Sequence, residues 1–276
     1  MGALLALASS IAYGTADFAG GLLSRRAHYA AVALYGQAGG LIFALTAAAV
    51  TSTAAPGTAG LGWGALSGLG SGTGMLFLYR GVSHGTMSIV VPVSTVTAVA
   101  LPVLAAVAFV GDRPSVLSWA GIAAAVPALW LVSRTTTSTR PAGPAALDGL
   151  IAGTGIALQY LALAQAPAHA GLWPVAAGRL TATLAILPVA VPARAPLPLT
   201  PRLAIPAAAT GATAALALTL YLLATRHQLL AITVVLSSLY PAIPVLLGIA
   251  ALHERLSRTQ TAGLIAAAAA TALLTT

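Results

Sequence analysis

Apolar runs of about twenty residues follow one another along the whole chain, parted by short clusters of Arg, Pro, Gly, Ser and Thr. A helix needs roughly 20 mainly apolar residues to cross the hydrocarbon core of a bilayer. Runs near that length lie at 3–23, 30–50, 60–79, 86–110, 115–133, 146–166, 170–191, 203–225, 228–251 and 259–275, so the pattern predicts ten transmembrane helices. The punctuation has turn chemistry, as in Ala55-Pro56-Gly57, Ser83-His84-Gly85 and Gly111-Asp112-Arg113-Pro114. The run Ala3 to Leu23 has no basic leader and is too long for a signal peptide, so it is expected to be a span.

The pattern repeats. Tyr79, Pro102, Asp112, Arg113, Ser115 and Gly121 match Tyr221, Pro244, Glu254, Arg255, Ser257 and Gly263, in each case 142 positions on (112 to 254, for example) and without a gap. The chain therefore divides into a first five-helix repeat at 1–133, a linker at 134–145 and a second repeat at 146–276. An odd number of crossings per half makes the second half enter the membrane from the opposite side. The expected fold is an all-α integral membrane protein of ten transmembrane helices in two inverted five-helix repeats. Such repeats give secondary transporters two related conformations around a site at the bilayer midplane.

Composition agrees with a bilayer setting: 59% of residues are hydrophobic and 6% charged, where soluble domains carry about a quarter charged. The net charge of +8 comes from twelve arginines against Asp17, Asp112, Asp148 and Glu254. No basic cluster exists to bind nucleic acid, so the arginines read as topology signals and headgroup contacts. Arg25, Arg26, Arg80, Arg134, Arg140, Arg194, Arg202, Arg255 and Arg258 follow odd-numbered spans, whereas only Arg113 and Arg226 follow even-numbered ones. The positive-inside rule then puts both termini outside the cytoplasm. Cysteine is absent, which excludes disulfides and thiolate metal sites. Richness in Ala, Gly, Pro and Arg points to a GC-rich bacterial genome, and the expected location is the inner (plasma) membrane.

Polar residues inside the spans are the candidate chemistry. Asp17 lies in span one with Tyr13 one turn earlier, and a carboxylate near a helix centre costs about 2.5–3.5 kcal/mol to insert. Two readings stand: a group that exchanges protons or contacts substrate, and a structural carboxylate bonded to neighbouring hydroxyls. Arg179, in span seven, keeps its charge and needs a partner. It reads either as a cation for a carboxylate or other polar head, or as half of an ion pair with Asp17. Gln37 is its counterpart in the first half.

Ser237, Ser238, Tyr240, Pro241 and Pro244 in span nine, with Ser94, Thr95, Thr97, Pro92 and Pro102 in span four, mark two proline-broken helices expected to wall a cavity. The plainer alternative is that these hydroxyls bond back to their own helices. Gln159, Tyr160, Gln165, Trp173 and Tyr35 are further lining candidates. Gly60, Gly64, Gly68 and Gly72 form a smooth stripe on span three, expected to be a close helix contact rather than a sliding face. The five histidines show no metal-ligand spacing, and Gly68 to Gly74 lacks the strand and Lys of a phosphate loop. No cofactor, metal or catalytic residue is expected, and an enzyme is disfavoured.

The residues Leu236-Ser237-Ser238-Leu239-Tyr240-Pro241, then Leu252-His253-Glu254-Arg255-Leu256-Ser257 and Gly263, with the weaker copy Gly111-Asp112-Arg113-Pro114-Ser115 and Gly121, resemble the EamA-type ten-span carriers of the drug/metabolite transporter superfamily. Gly178-Arg179-Leu180 and Tyr13-Gly14-Thr15-Ala16-Asp17-Phe18 resemble the same pattern. The first copy departs from it at Gln37, Val99 and Asp112. The resemblance implies a central cavity, alternating access and export of small polar metabolites or drugs, with protons as a candidate coupling ion. It also implies termini in the cytoplasm, opposite to the arginine count. The competing expectation is a non-transporting structural or regulatory membrane protein.

Overall fold

In hydrocarbon every backbone N–H and C=O must be satisfied within its own segment, so apolar runs of this length become helices. The computed structural model describes residues 1–24, 26–51, 57–83, 87–133, 142–190, 198–243, 246–247 and 258–275. It contains α1 (Gly2–Ser24), α2 (Tyr29–Thr51), α3 (Thr58–Ser83), α4 (Met87–Ala105, continued by a π-helical turn Ala106–Val110) and α5 (Val116–Ser133). Then come α6 (Ala142–Ala164), α7 (Trp173–Ala190), α8 (Pro201–Thr225), α9 (Leu230–Ser237) and α10 (Arg258–Thr275). No strand occurs among the described residues. Five stretches, Gly2–Leu23, Ala30–Thr51, Val93–Val110, Ala146–Ala164 and Pro201–Thr225, are long and apolar enough to cross a membrane.

Two expectations need correction. The linker ends earlier than 145, because α6 already begins at Ala142; Pro144 is tolerated there, since the first helical turn has no intrahelical acceptors for its N–H groups. Span nine is not one helix from 228 to 251. α9 stops at Ser237 and residues 238–241 form a turn, with helical geometry returning at 242–243 and 246–247. Pro241 and Pro244 cannot donate the N–H groups that would carry the helix through. Glu254, Arg255 and Pro244 lie outside the described residues.

Helix pairing follows the repeat. α1 packs on α8 as α6 packs on α3, α2 packs on α8 as α7 packs on α3, and α4 packs on α6 as α9 packs on α1. α2 meets α7 and α5 meets α10, each a helix against its own counterpart. Small residues make the approaches close. A Cβ on Gly64 would fall on the Pro174 carbonyl, and one on Gly211 would fall on the Gly36 carbonyl. The stripe on α3 thus meets a second ladder of Ala170, Pro174, Gly178 and Ala182 at the start of and along α7, a fixed packing face of the small-residue kind.

Two contacts tie the halves at one end of the bundle, and a third, between Arg226 and Gly171, lies within the second half. Gly2 lies against the Gln228 side chain, Arg226 Nη2 donates to the Gly171 carbonyl at 3.0 Å, and the buried Asp112 accepts the Ala231 N–H on Oδ2 at 2.7 Å. Gly111, with φ of 84°, takes the left-handed conformation that ends the π-helical turn and carries the chain into Asp112. Ala231 is the second residue of α9, so Asp112 caps a helix of the other half and meets its positive dipole end. Apolar core residues gather near this end, among them Ala6, Leu163, Leu172, Leu222 and Leu230. At the opposite end, where α3 finishes and α6 starts, Arg80 pairs with Asp148 and stacks on Phe77. Arg80 is half exposed, so this pair adds little stability.

Two stability changes follow. Gly211→Leu, against the Gly36 backbone, is expected to destabilise by about 1–3 kcal/mol or to block folding, whereas Gly62→Leu, whose Cβ meets nothing within 4 Å, leaves the unfolding temperature in detergent unchanged. Asp112→Ala is expected to lose about 1 kcal/mol, and Asp112→Asn, which keeps an acceptor, should retain most of the unfolding temperature in the same assay.

Candidate functional site

Along one face of α1 stand Ala6, Ser10, Tyr13 and Asp17, spaced by four, three and four residues. Their burial changes steadily: Ala6 and Ser10 are buried, Tyr13 is half-buried and Asp17 is exposed. Ala6 and Ser10 point toward packed protein at the sealed end, while the same face opens to accessible space one turn past Tyr13. Asp17 is close enough to Tyr13 and Tyr240 to act on both electrostatically.

At the bottom of that space sits a polar cluster. Gln159 Nε2 donates to the Tyr13 hydroxyl at 3.0 Å, and the Tyr13 ring lies 5.9 Å from that of Tyr240 at 44°. Arg179 is 4% exposed, stands beside the Tyr13 hydroxyl, and donates through Nη1 to Gln37 Oε1 at 3.3 Å. Gln37 is itself buried and holds its amide nitrogen 3.8 Å from Met75 Sδ. Arg179 Nε and Nη2 are buried with no hydrogen-bond partner. Each unmet donor costs the desolvation of a polar group, more so for a charged one.

Gln37 and Arg179 are 142 residues apart, the offset of the repeat. The two residues, at matching places along α2 and α7, touch where those helices meet. Asp17 has Gln159 as its counterpart at the same offset. Arg179 in the cluster and Asp17 one turn away are thus each matched by a glutamine in the other half. That second match was readable from the sequence, although only the Arg179 match was drawn from it.

Of the predicted site residues, the structure brings together Tyr13, Gln37, Gln159, Arg179 and Tyr240, with Asp17 one turn above. No ion pair joins Asp17 to Arg179 among the described residues, so the inter-helix ion-pair reading fails. Ser237 donates to the Ala6 carbonyl at 3.4 Å and fastens α9 to α1, while Ser94 and Thr95 are buried in α4, the Ser94 carbonyl lying against Gly153 of α6. Thr97 bonds back to Val93 O at 2.7 Å, as the plainer alternative expected. Ser238 is buried with an unpartnered hydroxyl just before Tyr240. Trp173 packs at the edge of the apolar core with its Nε1 buried and unpartnered.

Sequence reasoning gave Tyr160 and Tyr221 less weight than they have. Both are fully buried, their rings are 4.6 Å apart, and the Tyr221 hydroxyl donates to the Tyr160 carbonyl at 2.9 Å. Ser67 donates to the Gln159 carbonyl at 2.9 Å, which fixes α6 against α3 where Gln159 projects. A groove of about 640 Å³ between α1 and α8, lined by Thr15, Ala19, Leu22, Pro206 and Thr213, lies on the other face of α1 and contains none of the predicted site residues.

A bundle of long apolar helices with a buried cation between them is the pattern of a multi-pass membrane protein. Over residues 1–134 the chain matches the model of the EamA-like transporter family, in keeping with the drug/metabolite transporter resemblance of its motifs. No curated protein matches the sequence. A solved structure titled "Crystal structure of protein" is similar in fold, with a TM-score of 0.75 at 16% identity over 99% of this chain and 98% of that one.

Proposed function

We propose that the protein is a secondary transporter that moves a small polar metabolite or drug by alternating access, with the Tyr13, Gln37, Gln159, Arg179 and Tyr240 cluster as its substrate site. The observation that carries this reading is the buried Arg179–Gln37 pair, a cation of one half held by an amide of the other, with Tyr13 and Gln159 beside it. A membrane protein places a guanidinium there only where it faces a partner or a pathway.

The halves, 1–133 and the segment from Ala142 onward, are read as inverted repeats. The start of α1 meets the α8–α9 connection at the sealed end, whereas α6 starts at the opposite end beside Arg80. The exchange of helix pairings between halves supports the same symmetry. In this reading ten helices span a bacterial inner membrane, and rocking of the halves about the axis moves the opening from one side to the other.

The open end is where α1 and α3 finish, and connections there carry most of the arginines. The arginine bias acts on the insertion of this very chain, so it decides the orientation here: the open end faces the cytoplasm and the termini lie outside. The arrangement then loads solute from the cytoplasm, the sense of an exporter. Asp17, exposed above the site, is the group placed to exchange a proton with that water.

Asp17→Asn and Arg179→Ala are each expected to abolish flux in proteoliposomes while the protein still folds and unfolds cooperatively; wild-type flux in either variant removes that residue from the mechanism. The chain has no cysteine, so single cysteines report without background. Ala27→Cys and His169→Cys, one repeat offset apart, should react with an impermeant maleimide from opposite faces, Ala27→Cys from the cytoplasmic one. Labelling of both from the same face would end the inverted arrangement.

A further inference from the structure

The transporter reading leaves the kind of solute open, and the hydrogen bonds of Arg179 narrow it. Nη1 is taken by Gln37. The two nitrogens without partners, Nε and Nη2, form one edge of the guanidinium, and both are buried. Two parallel N–H groups on one edge match the two oxygens of a carboxylate. The Tyr13 hydroxyl beside Arg179 already accepts from Gln159, so its own proton is available to an acceptor. Gln37 and Gln159 bring no charge, and Asp17 forms no ion pair with the cation. The cluster therefore carries a single uncompensated positive charge with an unfilled fork, which suits a monoanion. Beside it the half-buried rings of Tyr13 and Tyr240, 5.9 Å apart, offer apolar faces.

Resting on the transporter reading, we propose that the solute is an organic carboxylate with a flat apolar body. Its carboxylate fills the Nε–Nη2 edge of Arg179 and accepts from Tyr13, and its body lies beside Tyr13 and Tyr240. Filling that edge satisfies donors that the empty site leaves bare. A neutral isostere cannot repeat this, because an amide offers one oxygen and no charge.

The test follows thermal unfolding of the whole protein in detergent with acetate, indole-3-acetate and 3-phenylpropionate, each against its amide, and with 3-phenylpropylamine. The two aromatic acids are expected to raise the unfolding temperature saturably, acetate to do so only at much higher concentration, and the amides and amine to have no effect. Arg179→Met should weaken aromatic acid binding by about thirtyfold or more, while the empty variant unfolds at the wild-type temperature or above it because an unpaired buried charge is gone. Should Arg179→Met not fold, Arg179→Lys, a point charge without the fork, replaces it and is expected to fold and bind more weakly.

Equal shifts by acid and amide, no shift by any of the three acids, or an acid shift that survives the loss of Arg179 overturns the proposal. Counterflow of labelled 3-phenylpropionate in proteoliposomes separates the two claims. Acid that binds but is not carried leaves the carboxylate site and ends the transporter reading. Movement of the amine alone leaves a transporter and ends the carboxylate site.

Discussion

A guanidinium cannot shed its proton, and hydrocarbon will not accept it charged; Arg179 must therefore be held by protein, and the fold is arranged around that necessity. Its holder is the residue in the same place in the other half, Gln37. For the two to touch, α2 and α7 must cross near these residues. That crossing is possible because their neighbours come in close: α2 meets α8 at Gly36, Gly39, Gly40 and Gly211, and α7 meets α3 at Gly64, Gly68 and Gly178. The small-residue contacts and the buried cation are two sides of one solution, since bulkier interfaces would push the central pair apart. Tyr13 and Gln159 then close the polar cluster from α1 and α6.

The fastening at the sealed end has a different chemistry. It is made of a helix cap, a side chain to carbonyl bond and apolar packing. None of these needs water, and the cap and the apolar packing join one half to the other. The opposite end has a half-exposed ion pair between α3 and α6. The contrast explains why burial along α1 falls from Ala6 to Asp17.

Much of this was legible in the sequence because the relevant signals are long. The apolar runs point to an all-helical chain, and the ungapped offset marks Gln37 as the counterpart of Arg179, without any knowledge of side-chain positions. What was not legible depends on contacts between distant segments. Asp112 looks in sequence like the end of a motif, and only the packed bundle reveals the Ala231 N–H it caps. Ser237 was grouped with the site, yet it serves as a fastening to Ala6, because a hydroxyl in a helix has many acceptors in reach and sequence cannot choose among them. The break in span nine was signalled by its prolines, but its place at Ser237 depends on how α9 packs against α1 and α4.

The mismatch of Asp17 with Gln159 and of Arg179 with Gln37 has an energetic consequence for any carrier that works by exchanging its halves. Perfectly duplicated halves would make the two facing directions mirror images of equal energy. In the transporter proposed above, one direction would hydrate a carboxylate, and its reverse would enclose that carboxylate and hydrate an amide instead. The empty protein would then have a preferred side on which to wait, a preference written into a pair of substitutions rather than into any gate.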